Sequence, residues 1–124
     1  FRLEIDKMYI RIVLVLLIIL CQAPSAYAQN KKFELSDHLL IYNTFLAEKE
    51  IDQEITWADV DELKEILRAN ENIQLLELNS SGGDLEAAMY MADIVIDCEL
   101  YTNVNGTCDS SCTLIFLGGT KRTI

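Results

Sequence analysis

Two apolar segments, each adjacent to a turn of small residues, constrain the fold of this chain most strongly. Residues 75–83 read Leu-Leu-Glu-Leu-Asn-Ser-Ser-Gly-Gly, a pattern typical of a buried strand that ends in a tight turn. Residues 105–119 begin with an Asn-Gly turn, pass through Ser110 and continue into an apolar segment that ends at two glycines. We expect this apolar segment to be helical, with Ser110 near its positive end.

The rest of the chain alternates between strand and helix patterns. Thr56 and Asp84 are predicted to cap two amphipathic helices, and the second helix is predicted to pack through an apolar stripe. The members of this stripe are Leu85, Ala88, Met89, Ala92 and Val95. The predicted strands lie within 33–50, at 73–78 and at 101–104, and a further strand begins near residue 121. This alternation predicts an α/β fold with mostly parallel strands, and 124 residues allow one domain.

The N-terminal segment has the pattern of a secretory signal peptide. Since the first residue is Phe1, we expect Met8 to be the initiator. Arg11 is followed by an apolar run over residues 12–21, and the small residues after it predict cleavage behind Ala28. An uncleaved membrane anchor is the alternative, although the run is about half of the roughly 20 residues that a span needs. We therefore predict an exported protein, periplasmic or secreted, with its domain at 29–124.

The charge of the predicted mature chain excludes two classes of partner. Removal of residues 1–28 leaves 18 acidic and 7 basic side chains, a net charge of about −11 with His38 neutral. A chain this acidic is repelled by nucleic acid and by anionic membrane surfaces. We expect neither to be a partner, apart from membrane contact through an uncleaved signal.

Three cysteines remain after cleavage, namely Cys98, Cys108 and Cys112. In an oxidising compartment an odd number predicts one disulfide and one free thiol. A Cys108–Cys112 bridge requires Cys108 to lie in the turn before the helix, because two positions four apart within a helix are too distant. A Cys98–Cys108 bridge is the competing pairing. The chain has no Cys-x-x-Cys motif, which argues against a redox role. No histidine accompanies the cysteine spacing, which argues against a zinc site. We therefore predict no metal and no cofactor.

The two turns contain the groups that an acyl-transfer site requires. Ser110 is the candidate nucleophile, and the backbone N–H groups of Gly82, Gly83 and Ser111 are candidates for an oxyanion hole. The lone His38 is expected to lie at a strand end or on the surface. A serine at a helix start and a Gly-Gly turn also occur as a simple cap and a simple turn, so the prediction depends on their combination.

The combination resembles the Clp-type serine peptidases of the ClpP and crotonase superfamily, and more narrowly their exported members. The resemblance covers residues 39–124 and rests on Asn-Ser-Ser-Gly-Gly at 79–83 and on Gly-x-Cys-x-Ser-x-Cys at 106–112. It implies a spiral of ββα units, peptide or protein substrates and a possible homo-oligomer. Ser81 replaces the usual proline, and Cys108 and Cys112 flank the nucleophile where cytosolic members have small residues.

The resemblance also implies that the histidine and the acid of the triad follow the nucleophile, beyond residue 124. A lysine base is a possible subtype. The alternative function is a non-catalytic exported pseudo-peptidase or assembly module with the same fold.

Overall fold

The computed structural model describes residues 2–21 and 31–124. The first helix, α1, spans Arg2–Cys21 and includes the apolar run of the predicted signal peptide. Within the two described ranges, no helix combines the length and the apolar character needed to cross a bilayer. The predicted cleavage site behind Ala28 lies outside the described residues.

The second described range alternates strands with helices, as the sequence pattern predicts. Two single-turn 3₁₀ helices, Thr44–Leu46 and Glu50–Asp52, follow the second strand. The strands are β1 (Phe33–Ser36), β2 (Leu39–Asn43), β3 (Leu75–Ser80), β4 (Tyr101–Cys108) and β5 (Arg122–Thr123). The helices are α2 (Trp57–Ala69), α3 (Leu85–Asp97) and α4 (Cys112–Leu117).

The five strands form one sheet in the order β1-β2-β3-β4-β5. The hairpin of β1 and β2 is antiparallel, and β2, β3, β4 and β5 then run parallel to one another. The pairing of β3 with β4 is regular up to Leu78 and shifts before Ser80 pairs with Cys108. This mixed α/β sheet confirms the predicted fold class, because each pair of parallel neighbours is joined by a crossover that contains a helix.

One face of the sheet packs into the core with the helices. Alternate residues of β2 and β3 are fully buried, namely Leu40, Tyr42, Leu76, Leu78 and Ser80. On β3 the intervening residues are only half-buried. This period of two is expected of strands with one buried face, and it fixes the register of the sheet.

Helix α3 buries a face that only partly matches the predicted stripe, with Ala88 and Val95 belonging to both. The Asp84 cap is confirmed, since its carboxylate accepts the Ala87 N–H at 2.8 Å. However, Leu85 and Met89 are more than half exposed, and the buried residues are Ala87, Ala88, Met91 and Val95. Apolar residues occur around most of this helix, so periodicity alone does not determine which of them face the sheet.

Candidate active site

The turn at residues 81–84, after β3, and the turn at residues 109–111, after β4, lie against each other. Because β3 and β4 are parallel neighbours, the turns that follow them emerge side by side at the carboxyl ends of the strands. The Asp109 N–H donates to the Ser80 carbonyl oxygen at 3.1 Å, which ties the start of the second turn to the end of β3. The fold therefore brings together residues that are about 28 positions apart in the sequence.

Gly82 lies directly against Ser110. A methyl group built on Gly82 would lie 2.9 Å from the Ser110 Cβ and 3.0 Å from the Asp109 carbonyl oxygen. Gly82 also has a φ of +104°, which side chains other than hydrogen rarely allow. Glycine is thus required at this position both for its conformation and for the close approach of the serine.

Ser110 occupies the turn between β4 and α4 in a left-handed conformation. Its φ is +52°, its side chain is exposed, and its carbonyl oxygen accepts hydrogen bonds from both the N–H and the hydroxyl of Thr113. Left-handed backbone at a residue other than glycine is uncommon and concentrates at functional sites. A serine in a sharp strand-to-helix turn is also the feature that defines the nucleophile elbow of α/β-hydrolases.

The Cys108–Cys112 disulfide closes this turn. The two Cα atoms are 5.2 Å apart, with Cys108 the last residue of β4 and Cys112 the first of α4. Of the two pairings that the sequence leaves open, the structure contains this one, and Cys108 lies before the helix as this pairing requires. Cys98 is a free, exposed cysteine.

The glycine amides predicted to form an oxyanion hole already have partners within the chain. The Gly82 N–H donates to the Ser80 hydroxyl at 3.1 Å, and the Gly83 N–H donates to the Ser111 hydroxyl at 2.9 Å. In the described part of the chain, none of the hydrogen bonds uses the Ser111 N–H. The three amides therefore differ in how available they are to a ligand, which the sequence does not indicate.

Gly83 is fixed from its other side by Ile55. Ile55 forms a parallel bridge with Gly83, in which the Ile55 N–H donates to the Gly82 carbonyl and the Asp84 N–H donates to the Ile55 carbonyl, each at 2.9 Å. A methyl group on Gly83 would lie 2.6 Å from the Ile55 carbonyl oxygen, and the φ of Gly83 is +151°. These two hydrogen bonds form a short strand-like pairing that fixes the glycine turn to Ile55.

A buried ionic cluster lies at the start of α2, beside Ile55. The Asp59 Oδ2 accepts from the Lys32 ammonium at 2.9 Å, the Tyr42 hydroxyl at 2.6 Å and the Thr56 N–H at 3.0 Å. Lys32 also donates to the Glu54 carbonyl oxygen at 2.7 Å. Burial, reinforced by the neighbouring Asp59 carboxylate, raises the pKa of Tyr42 well above its ordinary range.

The sequence gives no signal for this cluster. Lys32 lies in a short polar segment before β1, yet the whole residue is buried. Asp59 has the position of a capping carboxylate on α2, and its contact with the Thr56 N–H agrees with that role. Only the three-dimensional structure shows that the same oxygen also accepts from a lysine 27 residues earlier.

No histidine accompanies Ser110 in the described part of the chain. His38 precedes β2, and its ring nitrogen lies 2.8 Å from the Asn72 carbonyl oxygen. This position is at the amino-terminal edge of the parallel strands, whereas Ser110 follows the carboxyl-terminal edge. The geometry therefore excludes His38 as the base for Ser110.

Among residues 2–21 and 31–124, no group of three His, Cys, Asp or Glu side chains is arranged to hold an ion. Ser110 in its left-handed turn and the adjacent Ser111 N–H are two of the groups that an acyl-transfer site requires.

The fold is that of an α/β protein in which turns of small residues follow two adjacent parallel strands. The family model of the Clp protease matches residues 27–123, and the chain belongs to that family. No curated protein and no solved structure matches the chain significantly.

Proposed function

We propose that this chain carries the nucleophile and the oxyanion site of an exported Clp-type serine peptidase. The observation that carries the proposal is the approach of Ser110 to Gly82, since it brings an exposed serine next to the turn that contains the candidate glycine amides. The Ser110 Oγ attacks the peptide carbonyl, the amine leaves, and water then hydrolyses the acyl-enzyme. The N–H groups of Gly83 and Ser111 bind the oxyanion.

The proposal assigns the general base to a residue outside those described here. The base takes the proton of the Ser110 hydroxyl during attack and gives it to the leaving amine. The resemblance to the Clp peptidases favours a histidine that follows the nucleophile in the complete sequence. Removal of the base leaves the oxyanion site intact, so the two contributions are separable by mutation.

Export is supported by the pattern of residues 8–28 and by the disulfide. A covalent bridge beside the nucleophile persists in an oxidising compartment and is rare in a reducing one. A homo-oligomer is supported by family membership and by apolar side chains that are exposed on α3 and α4. These side chains are Leu85, Met89, Ile96 and Leu117, each 53–59% exposed.

A peptidase assay on the complete gene product tests the proposal. We expect wild type to hydrolyse an unfolded protein substrate, with a rate that Ser110→Ala lowers by at least a hundredfold. Ser36→Ala is the matched control, because Ser36 is an exposed serine on β1, and its rate should equal that of wild type. Equal rates for Ser110→Ala and wild type would overturn the assignment of the nucleophile.

A non-catalytic pseudo-peptidase or assembly module is the second candidate. Two observations favour it: the hydrogen bonds already made by the amides of Gly82 and Gly83, and the position of His38 at the far edge of the sheet. This function predicts a folded protein with no hydrolysis by wild type.

A further inference from the structure

The hydroxyl of Ser111 is hydrogen-bonded to the Gly83 N–H, which the proposed reaction requires as an oxyanion donor. Its Oγ accepts the Gly83 N–H at 2.9 Å and donates to the Gly83 carbonyl oxygen at 3.1 Å. Ser111 is only 6% exposed, so these bonds form in a largely dry environment where hydrogen bonds are strong. One hydroxyl thus pairs with both polar groups of a single glycine 28 residues away.

A simple capping role does not account for this hydroxyl. Ser111 is the residue before α4, where a serine ordinarily accepts an N–H from the first turn of its own helix. The Ser111 side chain makes no such bond, and its φ of −62° and ψ of −20° are helical. Its hydrogen bonds go instead to the neighbouring turn that carries the proposed oxyanion donor.

An N–H group that donates to a serine hydroxyl cannot donate equally well to a substrate oxygen. We propose that the Ser111 hydroxyl is a built-in competitor that occupies the Gly83 N–H in the resting site and must rotate away when a substrate carbonyl binds. This inference rests on the proposed peptidase function. It gives Ser111 two separate roles, because the backbone N–H stabilises the oxyanion while the side chain opposes it.

The two possible roles of the side chain predict opposite effects of its removal. A merely structural hydroxyl would help to hold the glycine turn against α4, and its loss would slow acylation of Ser110. A competing hydroxyl would release the Gly83 N–H when it is removed, and acylation would accelerate. The net free energy of one hydrogen bond that no longer has to be broken corresponds to an acceleration of about twofold to tenfold.

The test measures the rate at which a fluorophosphonate labels Ser110 in the complete gene product. We expect Ser111→Ala to react about twofold to tenfold faster than wild type, with Ser36→Ala unchanged as the control. A rate for Ser111→Ala equal to or below that of wild type overturns the competition while leaving the proposed peptidase intact. Absence of labelling in all of these proteins overturns the peptidase and the competition together.

Amide hydrogen exchange provides a second test that needs no variant. In folded wild type, the Gly83 N–H should exchange more slowly than the Ser111 N–H, because only the first has a partner among residues 2–21 and 31–124. In Ser111→Ala the Gly83 N–H should lose this protection. Exchange of the Gly83 N–H in wild type as fast as that of Ser111 would overturn the proposal even if the variant fails to fold.

Discussion

The ammonium of Lys32 and the carboxylate of Asp59 form an ion pair 2.9 Å long, and both side chains are completely shielded from solvent. The pair fixes the chain segment before β1 to the start of α2. That helix follows Ile55, which binds the turn of Gly82 and Gly83 through backbone hydrogen bonds. The buried pair therefore supports the scaffold on which the candidate site is built.

Replacement of Lys32 by methionine should destabilise the protein strongly. The variant leaves the Asp59 carboxylate buried without its cation, which typically costs about 3–5 kcal/mol. Lys31→Met is the matched control, since Lys31 pairs with Glu48 in an exposed position and should cost less than about 1 kcal/mol. Urea denaturation measures both free energies of unfolding, and similar losses for the two variants would contradict the account.

Ionisation of Tyr42 should destabilise the protein at alkaline pH. Because its folded-state pKa is raised, the neutral phenol contributes stability that is fully present below about pH 10 and is lost as the pH rises further. The slope for one proton is at most about 1.4 kcal/mol per pH unit. Unfolding free energies between pH 8 and pH 11 should therefore fall more steeply for wild type than for Tyr42→Phe, and parallel curves would count against a buried phenol.

Alanine at Gly83 should disrupt the turn. The new methyl group would meet the Ile55 backbone, and a positive φ alone costs about 1–2 kcal/mol for a residue with a Cβ. We expect a total loss of more than about 2 kcal/mol in thermal or urea unfolding. Ser81→Ala changes an exposed residue in the same turn and should have little effect. Equal stability of the two variants would show that the Ile55–Gly83 pairing is not formed.

The disulfide predicts both a thiol count and a stability change. Under denaturing, non-reducing conditions the chain from residue 29 onward should react with one equivalent of a thiol reagent, at Cys98; three equivalents would mean that the bridge is absent. The double variant Cys108→Ser/Cys112→Ser should lose about 2 kcal/mol, since the closed loop is short. A loss much larger than this would indicate that the bridge does more than restrict the unfolded chain.

The fold could be predicted from the sequence where local signals agree with one another. The strand and the turn at 75–83, the Asp84 cap and the end of α4 at Gly118 each follow from residue type and spacing. Their alternation is sufficient to predict parallel strands with helical crossovers. The Cys108–Cys112 pairing was one of two alternatives, and the position of Cys108 at the end of β4 decides between them.

The features that sequence reasoning missed depend on long-range contacts. No pattern around Lys32 indicates burial, because its partner Asp59 lies 27 residues away. Leu85 and Met89 have the spacing of a core-facing stripe but are exposed, because the buried side of the helix includes Ala87 and Met91 and lies to one side of the predicted stripe. The bond from the Gly83 N–H to the Ser111 hydroxyl exists only because two turns meet in space. The predicted roles of Ser110, Ser111 and the two glycines at 82 and 83 remain predictions.

Mass spectrometry of the complete gene product after reaction with a fluorophosphonate tests the central claim most directly. The account predicts one phosphonyl adduct, located on the peptide that contains Ser110 and absent from Ser110→Ala. An adduct on another residue, or a folded wild-type protein that forms none, would contradict it.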